Sequence, residues 1–265
     1  MRNMPIGVFD SGLGGLTVVK ALKQVLPNES ILYFGDIARL PYGTKSKELI
    51  VQYSIGIANF LIKKKAKMII IACNTATALA LEELRLNFKG IPVIGVIEPG
   101  SIQASLDTNN KKIGVIGTIA TINSGAYEKA LKMIDEKIQV YSKECPLLVP
   151  FVEEGMVEGD AINLIVEHYL SNFDIDIDTL ILGCTHYPLL KAIIKRYTIG
   201  VKLVDSALAT ANHTKNILKT FNLINDQINN NSLDCFVTDS PSRFEKLGKI
   251  FLGEKINQPQ LIDDF

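Results

Sequence analysis

The sequence predicts an α/β protein of two pseudo-symmetric three-layer domains, each on a mostly parallel sheet, with the active site in the cleft between them. Three observations carry this. Strand-sized apolar runs alternate with stretches of helical periodicity. The runs are apolar throughout, as strands covered by helices on both faces require. Landmarks also recur: Ile6-Gly7-Val8-Phe9-Asp10 is echoed 107 positions on by Ile113-Gly114-Val115-Ile116-Gly117, and Cys73 is echoed 111 positions on by Cys184.

The elements follow in order. Ile6 to Phe9 reads as a strand, and Gly12-Leu13-Gly14-Gly15 turns the chain into a helix whose apolar face is Val18, Ala21, Leu22, Val25 and Leu26, stopped at Pro27. Ile31 to Phe34 is the second strand, and Ile50, Tyr53, Ile57 and Leu61 mark a long helix. Met68 to Ala72 is a buried strand, after which Thr75 is expected to cap a helix to Phe88, with Gly90 just past its end. Pro92 to Val96 closes the first series. The second runs through strand 113–117, a helix bearing Tyr127, Leu131 and Ile134, strand 138–141, a helix bearing Ile162, Val166, Tyr169 and Phe173, and strand 179–183. Strand 201–204, helix 206–221, an Asn-rich surface loop at 222–232, strand 233–237 and a helix from Pro241 complete the chain. The last segment is too short for a domain and is expected to pack back on one half. The expected division is 1–97 with 208–265, and 98–207.

Composition narrows the function. The 265 residues carry 28 Lys+Arg and 28 Asp+Glu. That balance argues against a sequence-independent grip on nucleic acid or an anionic membrane, which needs excess positive charge. Four cysteines without a Cys-x-x-Cys pair give neither a disulfide scaffold nor a zinc knuckle. The amino-terminal stretch is no signal peptide, and no apolar run approaches the roughly 18 residues that span a bilayer. A cytoplasmic protein with reduced thiols is expected.

The glycine-rich Asp10-Ser11-Gly12-Leu13-Gly14-Gly15 sits where a strand hands over to a helix, a place that suits phosphate or carboxylate. Thr17 stands where a dinucleotide fingerprint needs its third glycine, and no Gly-Lys-Ser/Thr ends the loop. A small carboxylate ligand fits as well as phosphate, and a tight structural turn is the bland alternative. Asp10 lies at a strand's carboxyl end, the functional edge of an α/β sheet.

Cys73-Asn74-Thr75 and Cys184-Thr185-His186 carry the most chemistry. Each cysteine ends a buried strand and precedes a helix, whose N-terminus is expected to lower the thiol pKa. Two such cysteines in equivalent places point to one shared site; Cys145 and Cys235 lack that context and read as structural. His186 is a proton-handling partner for Cys184 rather than a metal ligand, since no second ligand cluster accompanies it. His168 and His213 read as ordinary packing or surface residues, and Lys63-Lys64-Lys65 as a solvated helix end. Pro41-Tyr42-Gly43 has its counterpart at residues 149 to 153, so both loops are expected to border the same cleft. Glu153 and Glu154 are open between that cleft and a solvated turn. Two thiols on opposite sides of a cleft suit inversion of a carbon bearing hydrogen, where one group removes a proton and the other returns one.

Asp10 to Gly15, Pro41-Tyr42-Gly43, Ala72-Cys73-Asn74-Thr75-Ala76 and Gly183-Cys184-Thr185-His186-Tyr187-Pro188 together resemble, in order and at compatible spacing, the four signatures of bacterial glutamate racemases of the aspartate/glutamate racemase superfamily. The resemblance implies a cofactor-independent, metal-free enzyme that interconverts L- and D-glutamate and supplies D-glutamate for peptidoglycan. It implies Cys73 and Cys184 as the two acid/bases, supported by Asp10 and His186, with Glu153 a further supporting candidate. It implies Asp10, Ser11, Tyr42, Gly43, Asn74, Thr75, Thr185 and His186 as substrate-binding, with Thr118, equivalent to Ser11, as a further contact. A homodimer is expected. With the first strand beginning near residue 5, the N-terminal extension linked in some members to control by a cell-wall precursor is not expected. The alternatives are a racemase of aspartate or another amino acid, and a non-catalytic anion- or nucleotide-binding module built on the glycine loop.

Overall fold

The computed structural model describes residues 1–171, 173, 176–227 and 231–263. The first series is β1 (Ile6–Asp10), α1 (Leu16–Val25), β2 (Ile31–Gly35), α2 (Lys47–Lys63), β3 (Met68–Ile71), α3 (Asn74–Asn87), β4 (Val93–Gly95) and α4 (Ile97–Asp107). The second is β5 (Lys112–Gly117), α5 (Ile119–Asn123), α6 (Ala126–Ile134), β6 (Gln139–Glu144), α7 (Leu148–Glu153), α8 (Asp160–Leu170), β7 (Thr179–Gly183), α9 (Lys191–Tyr197) and β8 (Lys202–Asp205). Then come α10 (Ser206–Thr220), β9 (Leu233–Val237), α11 (Pro241–Leu252) and the short β10 (Gln260–Leu261).

Two sheets form, ordered β10-β9-β2-β1-β3-β4 and β6-β5-β7-β8. Every strand pairing among the described residues is parallel. The order β2-β1-β3-β4 repeats as β6-β5-β7-β8, and so does the register. Ile6 faces Met68 in the first sheet, and Ile113 faces Thr179 in the second. Those partners are 107 and 111 positions apart, the spacings of the sequence echo. The C-terminal strands join the first sheet, where β9 pairs β2 from Ile31↔Leu233 to Gly35↔Val237.

Side chains alternate across the first sheet into two cores. Ile6, Val8, Tyr33, Met68 and Ile70 meet α1 and α11, while Phe9, Leu32, Phe34, Ile69 and Ile71 meet α2 and α3. In the second sheet Ile113, Val115 and Ile181 pack against α4 and α6. Ile116, Leu180 and Leu182 face α8 and α9 in the same core that contains α1. Each buried aliphatic side chain contributes about 1.5–3 kcal/mol, so both faces must be covered. A polar clamp closes the amino edge of the first sheet. Buried Lys67 donates to Glu29 and to the carbonyls of Arg2 (2.6 Å) and Leu223 (2.8 Å), and Glu29 also accepts from the Asn225 amide at 2.8 Å.

Several expectations change. Cys73, not Thr75, caps α3, its sulfur accepting from Ala76 N at 3.5 Å. Helix α8 ends at Leu170, so Phe173 lies beyond it. Residues 149–153 belong to helix α7 rather than to a loop. Cys184 precedes a 3-10 turn, Tyr187–Leu190, before α9 begins, so it caps no α-helix. Helices α4, α5 and α7 and strand β10 had no forecast. Of the loop expected at 222–232, residues 228–230 lie outside the described residues.

Candidate active site

The carboxyl ends of the two sheets converge. Phe9 and Ile71 end their pairing side by side in the first, as Gly117 and Gly183 do in the second. Just beyond these ends lies a cavity of about 330 Å³ including its mouth. Ser11, Leu40, Pro41, Tyr42, Gly43, Cys73, Asn74 and Thr75 line it from one side, and Thr118, Val149, Cys184, Thr185 and His186 from the other. The loop at 41–43 and α7 border one cleft, as their equivalent positions imply.

Cys73 is 6% exposed and lies 3.8 Å from the Ser11 hydroxyl. Burial and the nearby Asp10 carboxylate push its thiol up to about 12. The Ala76 amide and the Ser11 hydroxyl pull the other way without prevailing. The expected lowering by a helix N-terminus is thus overturned for Cys73, because desolvating the thiolate outweighs the amide that caps it. Burial likewise takes Cys145 and Cys235 to about 12. Thiols of the unfolded chain ionise near pH 9.0, and these three do not until about 12. Their contribution to stability is complete below pH 9 and is lost as the pH rises towards 12. At pH 10 that loss is about 1 kcal/mol per thiol. Melting temperatures at pH 8 and pH 10 are expected to differ by several degrees, lower at pH 10; an unchanged value contradicts the burial argument.

Cys184 sits in a different setting. Its sulfur is 3.6 Å from His186 Nδ1, and His186 Nε2 hydrogen-bonds Glu153 Oε1. Burial alone disfavours the imidazolium, yet the hydrogen bonds and charges of Cys184 and Glu153 together raise its pKa well above the ordinary value. Phe251 packs edge-on against the ring, 5.6 Å between centroids. Of the two adjacent glutamates, Glu153 is thus the one that reaches His186. Glu154 instead pairs with exposed Arg243 at 2.7 Å.

Asp10 is wholly buried and does not line the cavity. Its carboxylate accepts from Gly12 N at 3.0 Å and from the Thr185 hydroxyl at 3.4 Å. The anion position of the glycine loop is thus filled by the chain's own carboxylate. The first-turn amides Leu16 N, Thr17 N and Val18 N bond back to Leu13, Gly14 and Gly15 carbonyls. The loop is no open phosphate cradle. Its glycines instead allow contact between the halves: a Cβ on Gly14 would lie 2.2 Å from Thr185 Oγ1 and 2.7 Å from His186 Nδ1.

The remaining candidates join the two halves. Thr118 caps α5, and its hydroxyl lies 2.9 Å from Thr75 Oγ1 and 2.9 Å from Thr121 Oγ1. Thr75 and Thr121 hydroxyls are 3.1 Å apart, closing a triangle. The 3-10 turn Tyr42–Thr44 follows a cis Leu40–Pro41 bond, and Gly43 packs so closely that a Cβ there would lie 2.7 Å from Thr118 Cβ. The Tyr42 phenol donates to Asp36 at 2.5 Å. Sequence reasoning missed Asp36, Thr121 and Tyr127. Asp36 carries the same signal as Asp10, an acidic residue at the carboxyl end of a strand, and Thr121 is the second threonine of a Thr-x-x-Thr helix start.

Among the described residues no group of three His, Cys, Asp or Glu side chains is set to hold a metal, and no helix is long and apolar enough to cross a membrane.

Two repeated α/β halves, each bringing one buried cysteine to a shared cavity, define an α/β protein of two parallel sheets with a paired-thiol site. Residues 6–214 match the Asp/Glu/Hydantoin racemase family, and the chain belongs to it. It is 50% identical over 261 residues to the glutamate racemase of Aquifex aeolicus (strain VF5), covering 98% of each chain. It is similar in structure to the glutamate racemase from Francisella tularensis subsp. tularensis SCHU S4 in complex with D-glutamate, with TM-score 0.93 and 45% identity over 99% of this chain and 98% of that one. The glutamate racemase isoform from Bacillus anthracis gives TM-score 0.95 and 41% identity, with the same coverage.

Proposed function

We propose that the chain is a glutamate racemase that interconverts L- and D-glutamate through Cys73 and Cys184. The observation that carries this is one buried thiol from each half at a single cavity, in a chain half identical to a glutamate racemase. In one direction Cys184, as thiolate beside protonated His186, takes the Cα proton, and the Cα–H bond breaks as S–H forms. Cys73 then gives its thiol proton to the opposite face. In the other direction the roles exchange. One proton enters and one leaves, so the step balances without a redox partner.

Thr75, Asn74, Ser11, Thr185, the Tyr42-Gly43 turn and Thr118 offer donors for the two carboxylates, and His186 with Glu153 holds the Cys184 proton. Asp10 acts behind the site, orienting Thr185 and the Ser11 loop. We assign the domains as 1–97 with 208–265 and 98–207. The resemblance further supports a cytoplasmic homodimer that supplies D-glutamate for peptidoglycan, without cofactor or resident metal.

Circular dichroism of L-glutamate with purified protein and no added cofactor tests the reading. Decay of the signal to the racemic value is expected, and a constant signal at high enzyme concentration overturns it. L-Aspartate run in parallel is expected to turn over at least an order of magnitude more slowly; preference for aspartate overturns the substrate assignment.

A further inference from the structure

Asn74 opens α3 in the first half and lines the cavity, yet the group that holds its amide comes from the second half. Tyr127 on α6 is 3% exposed and donates its phenol proton to Asn74 Oδ1 at 2.6 Å. Ser206, first residue of α10, packs beside the same phenol oxygen. A phenol has one proton to give, and giving it to Oδ1 fixes which way the amide is turned. The Asn74 oxygen points to Tyr127. The amide nitrogen is buried and has no hydrogen-bond partner among the described residues. An orphaned buried donor is costly, and a ligand oxygen in the cavity relieves it.

The surrounding packing holds this chain of groups in place. A Cβ on Gly183, the glycine before Cys184, would lie 3.1 Å from the Tyr127 ring. One on Gly100 would lie 3.1 Å from Ser206 Cβ and 3.8 Å from the phenol oxygen. Burial also raises the Tyr127 pKa above the ordinary phenol value, so it stays a donor across the working pH range.

We propose that Tyr127, backed by Ser206, is a positioning residue that fixes the Asn74 amide so that its NH2 donates to a carboxylate oxygen of the substrate. The inference rests on the racemase reading above. Without the phenol, the amide is free to turn its oxygen towards the substrate carboxylate, where two acceptors repel.

Steady-state kinetics of Tyr127→Phe, Asn74→Ala and the double variant test it. Tyr127→Phe is expected to raise KM for both glutamate enantiomers about tenfold, equivalent to about 1.4 kcal/mol, with kcat within about twofold. In the Asn74→Ala background the same change is expected to have no further effect on KM, because no amide remains to orient. An unchanged KM, a KM effect that persists in full without Asn74, or a loss confined to kcat and melting temperature overturns the inference. Should Tyr127→Phe fail to fold, Ser206→Ala replaces it, with an expected two- to threefold KM increase that disappears in the Asn74→Ala background; an unchanged KM there overturns it equally. Absence of turnover by the wild-type chain overturns the racemase reading and this inference with it. Wild-type turnover with unaltered KM in the variants overturns the inference alone.

Discussion

Serine in place of Cys73 or of Cys184 is expected to lower glutamate racemisation by three orders of magnitude or more while the fold persists. A positioned acid or base contributes about 10²–10⁴ in rate. Each thiol acts once in every turnover, as base in one direction and as acid in the other. A serine hydroxyl is a far weaker acid and leaves no accessible anion. The exchange is nearly isosteric, and both sites are only 6% exposed. At position 73 serine also improves the helix start, because the residue there caps α3 and serine is among the preferred caps. Cys73→Ser is therefore expected to melt at or above the wild-type temperature although inactive. In deuterated water either variant is expected to exchange the Cα proton of one enantiomer only, since one face keeps its thiol. Near-native turnover by either variant sinks the two-thiol mechanism.

Glu153→Gln is expected to lower kcat/KM by about 10- to 100-fold and to move the alkaline limb of its pH profile to lower pH. The carboxylate is one of the groups that hold His186 protonated, and without it the imidazolium is lost at lower pH. The stability effect has a definite sign. A raised native histidine pKa stabilises the fold in full below the ordinary value of 6.5 and ceases to do so as the pH rises through the native value. The melting-temperature deficit of Glu153→Gln is thus expected to be largest at pH 6 and to shrink at alkaline pH. Glu154→Gln is the control. Its partner Arg243 is half exposed, and such pairs contribute about 0–1 kcal/mol, so activity within twofold of wild type is expected. An unshifted profile in Glu153→Gln, or a large loss in Glu154→Gln, contradicts the assignment.

Much of this site is legible in the residues themselves, because strand ends and spacing locate it. Met68 to Cys73 and Thr179 to Cys184 read as apolar strands ending in a thiol, and parallel pairing puts each thiol at the carboxyl edge of its own sheet. What stays hidden depends on burial and direction. Cys73 at a helix start reads as an acidic thiol until its desolvation is known. Glu153 and Glu154 are identical in type and adjacent, and only the close of α7 decides which one meets His186. Tyr127 looks like a core position on a helix face with Leu131, and its hydroxyl gives no sign of reaching Asn74. The glycine loop reads as an anion site, and it is one, but Asp10, two positions before the Gly12 amide it accepts from, already fills it. Helix α4 escapes notice because Pro99-Gly100 sits in its first turn, where proline is tolerated but the sequence looks broken.

The placement of β9 beside β2 has a consequence for how the molecule comes off the ribosome. The stretch carrying β5 to β8 is contiguous and can assemble as soon as it emerges. The first-made strands must wait, because β2 keeps a bare edge until residues 233–237 arrive. Lys67 and Glu29 wait too, since Leu223 and Asn225 supply two of the bonds around them. A nascent chain interrupted near residue 220 would carry a complete second half joined to a first half with an unpaired apolar edge and a half-made charge cluster. Such a fragment is prone to join edge to edge with its copies.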